Sequence, residues 1–131
     1  MTTSYGQLHV RVYTSQAELP VEGATVAVTQ KKQNGKLELL TVQVTNSSGI
    51  IRPIDIETPV LQDSTQPFPG ELPFTVCDVW AEHPAYATLL VEGVQIFPGV
   101  ATIQPMELLP LSEGQNSLNQ TDLHEIPPQS L

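Results

Sequence analysis

What most constrains this chain is alternation. Apolar and polar residues trade places at every second position in run after run, and a turn signal ends each run. "GQLHVRVYT" (6–14) sets Leu8, Val10 and Val12 against Gln7, His9 and Arg11. A period of two marks a half-buried strand, because successive strand side chains point to opposite faces. "ATVAVTQ" (24–30) repeats the pattern with Ala24, Val26 and Val28 on one face. Between these runs, "LPVEGA" (19–24) breaks the chain with Pro20 and Gly23. "KKQNGK" (31–36) holds Asn34-Gly35, a strong hairpin signal, and "LELLTVQVT" (37–45) is the returning strand.

The pattern continues past the hairpin. "NSSG" (46–49) is a polar turn and "IIRPIDIE" (50–57) a strand, which Pro53 demotes to an edge or a bulge. Residues 58–73 are proline-rich and read as a long irregular loop, partly polyproline-like. "FTVCDVWAEH" (74–83) resumes the alternation. It places Cys77, Val79 and Ala81 on one face and Phe74, Val76, Asp78 and Trp80 on the other. "YATLLVEG" (86–93) and then residues 94–111 close the set. No stretch carries an apolar 3.6 period of helical length, and twelve prolines oppose a helical protein. Seven or eight short strands with regularly spaced turns predict an all-β, antiparallel Greek-key sandwich over residues 1–111. The polar stretch 112–131 is expected to be a tail, either disordered or lying along a partner.

At 131 residues the chain is one domain, large enough to bury a core without disulfides. It carries five Lys and Arg against fourteen Asp and Glu, a net charge of −9. All five cations (Arg11, Lys31, Lys32, Lys36 and Arg52) precede residue 53. A phosphate backbone needs a basic footprint, so nucleic acid and anionic membrane are not expected as partners. No apolar run reaches the roughly 20 residues that span a bilayer. The start, "MTTSYGQLHV", lacks the basic and apolar regions of a signal peptide, so a cytoplasmic location is expected.

Chemistry needs convergent groups, and the sequence offers few. The histidines are His9, His83 and His124, none of them at ligand spacing. His83 precedes Pro84, which favours extended geometry and ends a strand, so "HPAY" reads as a turn. Cys77 lies in an alternating run and is expected to be a buried thiol. Ser47, Ser48 and Ser64 lack a nucleophile-elbow setting, and no glycine loop has phosphate-cradling spacing. Asp55, Glu57 and Asp63 lack the closely alternating oxygen ligands of a calcium loop. No catalytic residue, cofactor or metal is assigned, and the chain is expected not to be an enzyme.

"LPVEGATVAV", "TVQVTNSSGIIRPIDI" and "VWAEHPAYATLLVEGVQIFPGVATIQPMELLPL" together resemble the transthyretin-like (prealbumin-like, carboxypeptidase regulatory-like) sandwich. The positions that carry the resemblance are Pro20, Gly23, Ala24 and Val26, then Thr45, Asn46 and Gly49, then Ala81, Pro84 and Tyr86. A narrower likeness, in residues 81–111 and the ending "IPPQSL", is to the accessory domain of spore cortex-lytic, peptidoglycan-binding proteins. That likeness implies a non-catalytic accessory, and no family catalytic residue has a match. The hydrolases of this fold need convergent histidines with Arg and a Tyr-Arg-Gly-Ser-type ending, whereas this chain ends Pro-Pro-Gln-Ser-Leu. Isopeptide-bonded adhesins need a Lys in the first strand, which is missing here. The thyroid-hormone carriers of the fold need a tetramer channel.

The function expected from these readings is a structural or protein-interaction module, acting on a protein partner or a cell-wall or cortex component. If the inward face holds Cys77, Val79 and Ala81, then Asp78, Trp80 and Glu82 face outward and form the expected interaction surface. Two alternatives stand beside this reading. One is a carbohydrate- or peptidoglycan-binding module using a flat row drawn from Trp80, Tyr5, Tyr13 and Phe97. The other is a small hydrolase using His9 or His83 beside an acid.

Overall fold

A computed structural model describes residues 4–32, 34–59, 74–111 and 121–125, the last segment through its backbone alone. The strands are β1 (Ser4–Thr14), β2 (Thr25–Lys31), β3 (Leu37–Val44), β4 (Ile54–Thr58), β5 (Thr75–Glu82), β6 (Thr88–Ile96), β7 (Ala101–Leu108) and β8 (Thr121–Glu125). They form a three-stranded sheet, β4-β1-β7, packed on a five-stranded sheet, β3-β2-β5-β6-β8. The predicted inward residues line the space between the sheets. Leu8, Val10 and Val12 of β1 face Val26 and Val28 of β2 and Cys77 and Val79 of β5 within one fully buried cluster. No described helix is long and apolar enough to cross a membrane.

Two pairings depart from the expected antiparallel order. β1 runs parallel to β7, and β6 runs parallel to β8. Both pairs join strands that are not linked by a tight turn, and only tight hairpins dictate antiparallel neighbours. β8 lies within the stretch read as a tail. Residues 121–125 pair with β6 of their own chain, so part of the stretch assigned as disordered or partner-bound extends the five-stranded sheet. "TDLHE" has too weak an alternation to announce a strand, and the exposed edge of β6 supplies its pairing.

Other boundaries move for local reasons. β4 begins only after Pro53, which has no N–H to give a ladder, and it lies at a sheet edge as predicted. Residues 88–93 and 94–96, read within separate runs, are one continuous β6. Phe74, placed on the outward face by alternation, is buried instead. It precedes the first residue of β5 and therefore escapes that strand's pleat, and its ring packs 5.3 Å from Phe97. Most of the proline-rich loop, residues 60–73, lies outside the described residues.

The resemblance motifs work as clamps on turns. Buried Thr45 donates from Oγ1 to the Val21 carbonyl at 2.7 Å and accepts there from the Ala24 N–H at 2.9 Å. Its own N–H donates to the Ala24 carbonyl, and its carbonyl accepts from Gly23 N–H. Asn46 Oδ1 accepts from the N–H groups of Ser48 and Ile50, and the Gly49 carbonyl accepts from Val12 N–H at 2.7 Å. These residues join the five-stranded sheet to β1.

Candidate functional site

The outer face of the five-stranded sheet gathers the residues of interest. β3 shows why one strand can look ordinary in sequence and unusual in space. Strict alternation through "LELLTVQV" would put Leu37 and Leu39 on one face and Val42 and Val44 on the other. The register against β2 instead slips between Val28, opposite Thr41, and Thr29, opposite Leu39. Leu40 is the extra residue, and it turns in to pack on the core. This bulge reverses the parity, so Leu37, Leu39, Val42 and Val44 all face solvent, each between 52 and 63% exposed.

The face continues across the sheet. Val42 lies opposite Ala27, Ala27 opposite Trp80, and Trp80 opposite Leu90. Neighbouring strands are about 4.8 Å apart, so this is an unbroken apolar row four strands wide. Trp80 is half-buried, and its Nε1 donates to Thr29 Oγ1 at 3.2 Å, which leans the ring over β2 toward β3. Val76 adds a further exposed apolar position on β5. The opposite outer face, on the three-stranded sheet, mixes Gln7, His9 and Arg11 of β1 and Asp55 and Glu57 of β4 with exposed Tyr5 of β1 and Ile103 of β7.

The expected trio separates here. Trp80 belongs to the apolar row. Asp78 points outward but is engaged, since its Oδ1 accepts the Gly93 N–H at 3.1 Å and ties down the irregularity between β5 and β6. Glu82 is exposed at the end of β5 and makes an interaction of its own. The β3 residues, which sequence reasoning missed, supply more of the open apolar surface than the trio does. The signal that could have found them is the excess of apolar residues in "LELLTVQV", too many for one strand with a single inward face.

The remaining candidates do not converge. Tyr5 and Tyr13 sit on β1 in the other sheet, eight residues and about 27 Å apart, and Arg11 lies over the Tyr13 ring. Phe97 packs on Phe74. Tyr5, Tyr13 and Phe97 therefore form no flat row with Trp80. His9 Nε2 lies 2.7 Å from Gln7 Oε1, outside the three-stranded sheet. His83 is held in its turn: its Nδ1 accepts the Ala85 N–H at 3.1 Å, its carbonyl accepts from Tyr86 N–H, and its ring meets the Tyr86 ring edge-on. Cys77 is buried, and burial, reinforced by the adjacent Asp78 carboxylate, pushes its thiol up to about 12. Among the described residues no three His, Cys, Asp or Glu side chains are grouped to hold a metal, and Asp63 lies outside them.

A second feature adjoins the apolar row. A groove of about 250 Å³ runs beside the β3 edge, lined by Val42, Gln43, Val44, Ile50 and Arg52 among others. Gln43 holds the Arg52 backbone there, accepting its N–H at 2.9 Å and donating to its carbonyl at 3.1 Å.

Comparison with known proteins places this architecture. No protein-family model and no curated protein matches the chain. Among solved structures, it is similar to the 5-hydroxyisourate hydrolase of Klebsiella pneumoniae, with 20% identity over 80% of this chain and 85% of that one and a TM-score of 0.46. Sea bream transthyretin, in complex with thyroxine, matches at 17% identity over 80% and 88% of the two chains, with a TM-score of 0.48. The minor pilin GBS52 of Streptococcus agalactiae matches at 14% identity and a TM-score of 0.54, covering 88% of this chain but 48% of the pilin. The spore cortex-lytic likeness gains no support from these comparisons. The expectation that the chain is not an enzyme is corrected: a 5-hydroxyisourate hydrolase is among the solved structures it is similar to. Catalytic groups can be brought together from distant strands, so the lack of a local motif does not exclude catalysis. At these identities the likeness is one of fold: the chain is an all-β sandwich of two sheets, and transthyretin is among the solved structures it is similar to.

Proposed function

We propose that this chain is a protein-interaction module whose working surface is the outer face of the five-stranded sheet. The observation that carries the reading is the bulge in β3, which turns Leu37, Leu39, Val42 and Val44 to solvent in continuity with Ala27, Trp80 and Leu90. A contiguous exposed apolar patch of this kind marks an association surface, and a tryptophan within it is a frequent anchor. A narrower setting, beside spore cortex or cell-wall proteins and in a cytoplasmic or spore-associated location, is proposed on the sequence likeness of residues 81–111 and 126–131 alone.

The test immobilises three folded forms of the chain: wild type, Val42→Glu on the apolar face, and Gln7→Glu on the opposite face. Each is exposed to extract of cells that make the chain. Both substitutions sit at exposed positions and should shift stability by about 0.5 kcal/mol or less. A protein retained by wild type and Gln7→Glu but lost on Val42→Glu supports the reading. Equal retention by all three forms, or selective loss on Gln7→Glu, overturns it.

A further inference from the structure

We infer that the free edge of β3 binds an acidic, extended peptide segment of a partner as an added strand. The inference rests on the reading of this sheet as an interaction surface and adds the mode of binding and the partner's chemistry.

β3 ends the order of its sheet, so its outer backbone groups have no strand partner among the described residues. Such an edge is a ready template for another strand, and proteins usually guard it with proline or charge. β3 has no proline, and its one charged residue is Glu38, which pairs with Lys32. The bulge at Leu40 bends the edge, itself a device against sideways pairing. It nevertheless leaves Thr41–Val44 as a regular stretch, and that stretch runs along the groove that contains Arg52. An added strand would gain main-chain hydrogen bonds from the edge and seat alternate side chains against Val42, Val44 and Ile50.

Charge selects the occupant. In a chain of net charge −9, four of the five cations stand around this one strand. Lys31, Lys32 and Lys36 lie at its hairpin end, and Arg52 is held beside Gln43 toward the other end. Lys31, Lys36 and Arg52 are exposed and make no ion pair among the described residues. A segment of about eight residues, at roughly 3.4 Å per residue, reaches from Lys36 to Arg52. Glutamates or aspartates near both of its ends would meet cations, with apolar residues between them. Complementary charge of this kind fixes register and raises the association rate.

The test titrates the full ¹⁵N-labelled chain with a ten-residue peptide alternating valine or threonine with glutamate, and with its counterpart carrying lysine in place of glutamate. The expected result is amide shifts concentrated on residues 37–44 and 52. The glutamate peptide should bind at least tenfold more tightly than the lysine peptide, and its affinity should fall several-fold between 50 and 300 mM salt. The double variant Lys36→Glu with Arg52→Glu, its fold confirmed by thermal melt, should lose at least tenfold affinity for the glutamate peptide. Equal binding of both peptides, shifts centred away from β3, or β3 shifts that follow protein concentration without peptide would each overturn the inference. If the peptides leave β3 untouched while Val42→Glu still loses the cellular protein, the edge proposal fails and the face remains. If neither effect is seen, both fail.

Discussion

Replacing Thr45 with valine should remove one hydroxyl and leave two buried backbone groups unpaired. In the folded chain Oγ1 of Thr45 links the Val21 carbonyl to the Ala24 N–H, and Thr45 is 3% exposed. Valine nearly matches threonine in shape, so the loss comes from hydrogen bonding and not from packing. Each stranded buried group costs about 1–3 kcal/mol, so the pair costs about 2–6 kcal/mol. Against a total stability of about 5–15 kcal/mol this is a severe loss for one atom. A value near 3 kcal/mol, with a urea slope of about 1.5 kcal/mol per molar, lowers the denaturation midpoint by about 2 M. Thr45→Ser is the control, because it keeps the hydroxyl and removes one methyl worth about 1 kcal/mol. Urea denaturation followed by Trp80 fluorescence measures all three proteins. A midpoint for Thr45→Val within about 0.5 M of wild type, or equal to that of Thr45→Ser, would refute the clamp argument.

Two further predictions test the same frame. Gly49→Ala should destabilise by at least about 2 kcal/mol, because Gly49 has φ +74° and a Cβ there would meet the Val12 carbonyl oxygen at 2.3 Å. Gly35→Ala, at φ +83° with open space around it, should cost only about 1–2 kcal/mol, and paired thermal melts compare the two. Cys77 should resist thiol reagents at pH 8 in the native protein and react quickly in denaturant, since burial holds it protonated to about pH 12. The unfolded thiol ionises from about pH 8.5 while the folded one does not, so the unfolded state binds fewer protons in this window. Wild-type stability should therefore fall relative to that of Cys77→Ala as pH rises from about 9 toward 12. Parallel curves for the two proteins, or fast native labelling, would contradict the placement of the thiol.

Most of the sandwich was legible because strand burial has a period of two. Leu8, Val10 and Val12, and likewise Cys77, Val79 and Ala81, occupy the inward positions that alternation assigns them. Gly49 and Thr45 were visible as family-like motifs, and the structure gives them physical roles in holding turns. Legibility failed where tertiary structure overrides the local pattern. Phe74 leaves the pleat one residue before β5 begins. Pro105, inside β7, is accommodated because β7 lies at a sheet edge. The register slip at Leu40 depends on what β2 presents across the strand, so the apolar excess in "LELLTVQV" signals surplus apolar residues without saying that all four share one face. The candidate surface was half visible for that reason: Trp80 came from alternation, while the larger share contributed by β3 came from a bulge. Asp78 shows the converse, since an outward position did not reveal that its carboxylate is engaged with Gly93.

The most direct test of the proposed interaction surface uses Trp80, the single tryptophan of the chain. Acrylamide quenching of its fluorescence reports how open the outer face of the five-stranded sheet is. In the isolated chain the half-buried ring should be quenched at an appreciable fraction of the rate for free tryptophan. After addition of the protein retained by wild type but not by Val42→Glu, quenching should fall several-fold as the partner covers the face. An unchanged quenching constant with that protein demonstrably bound would contradict the account, because it would place the partner on some other surface.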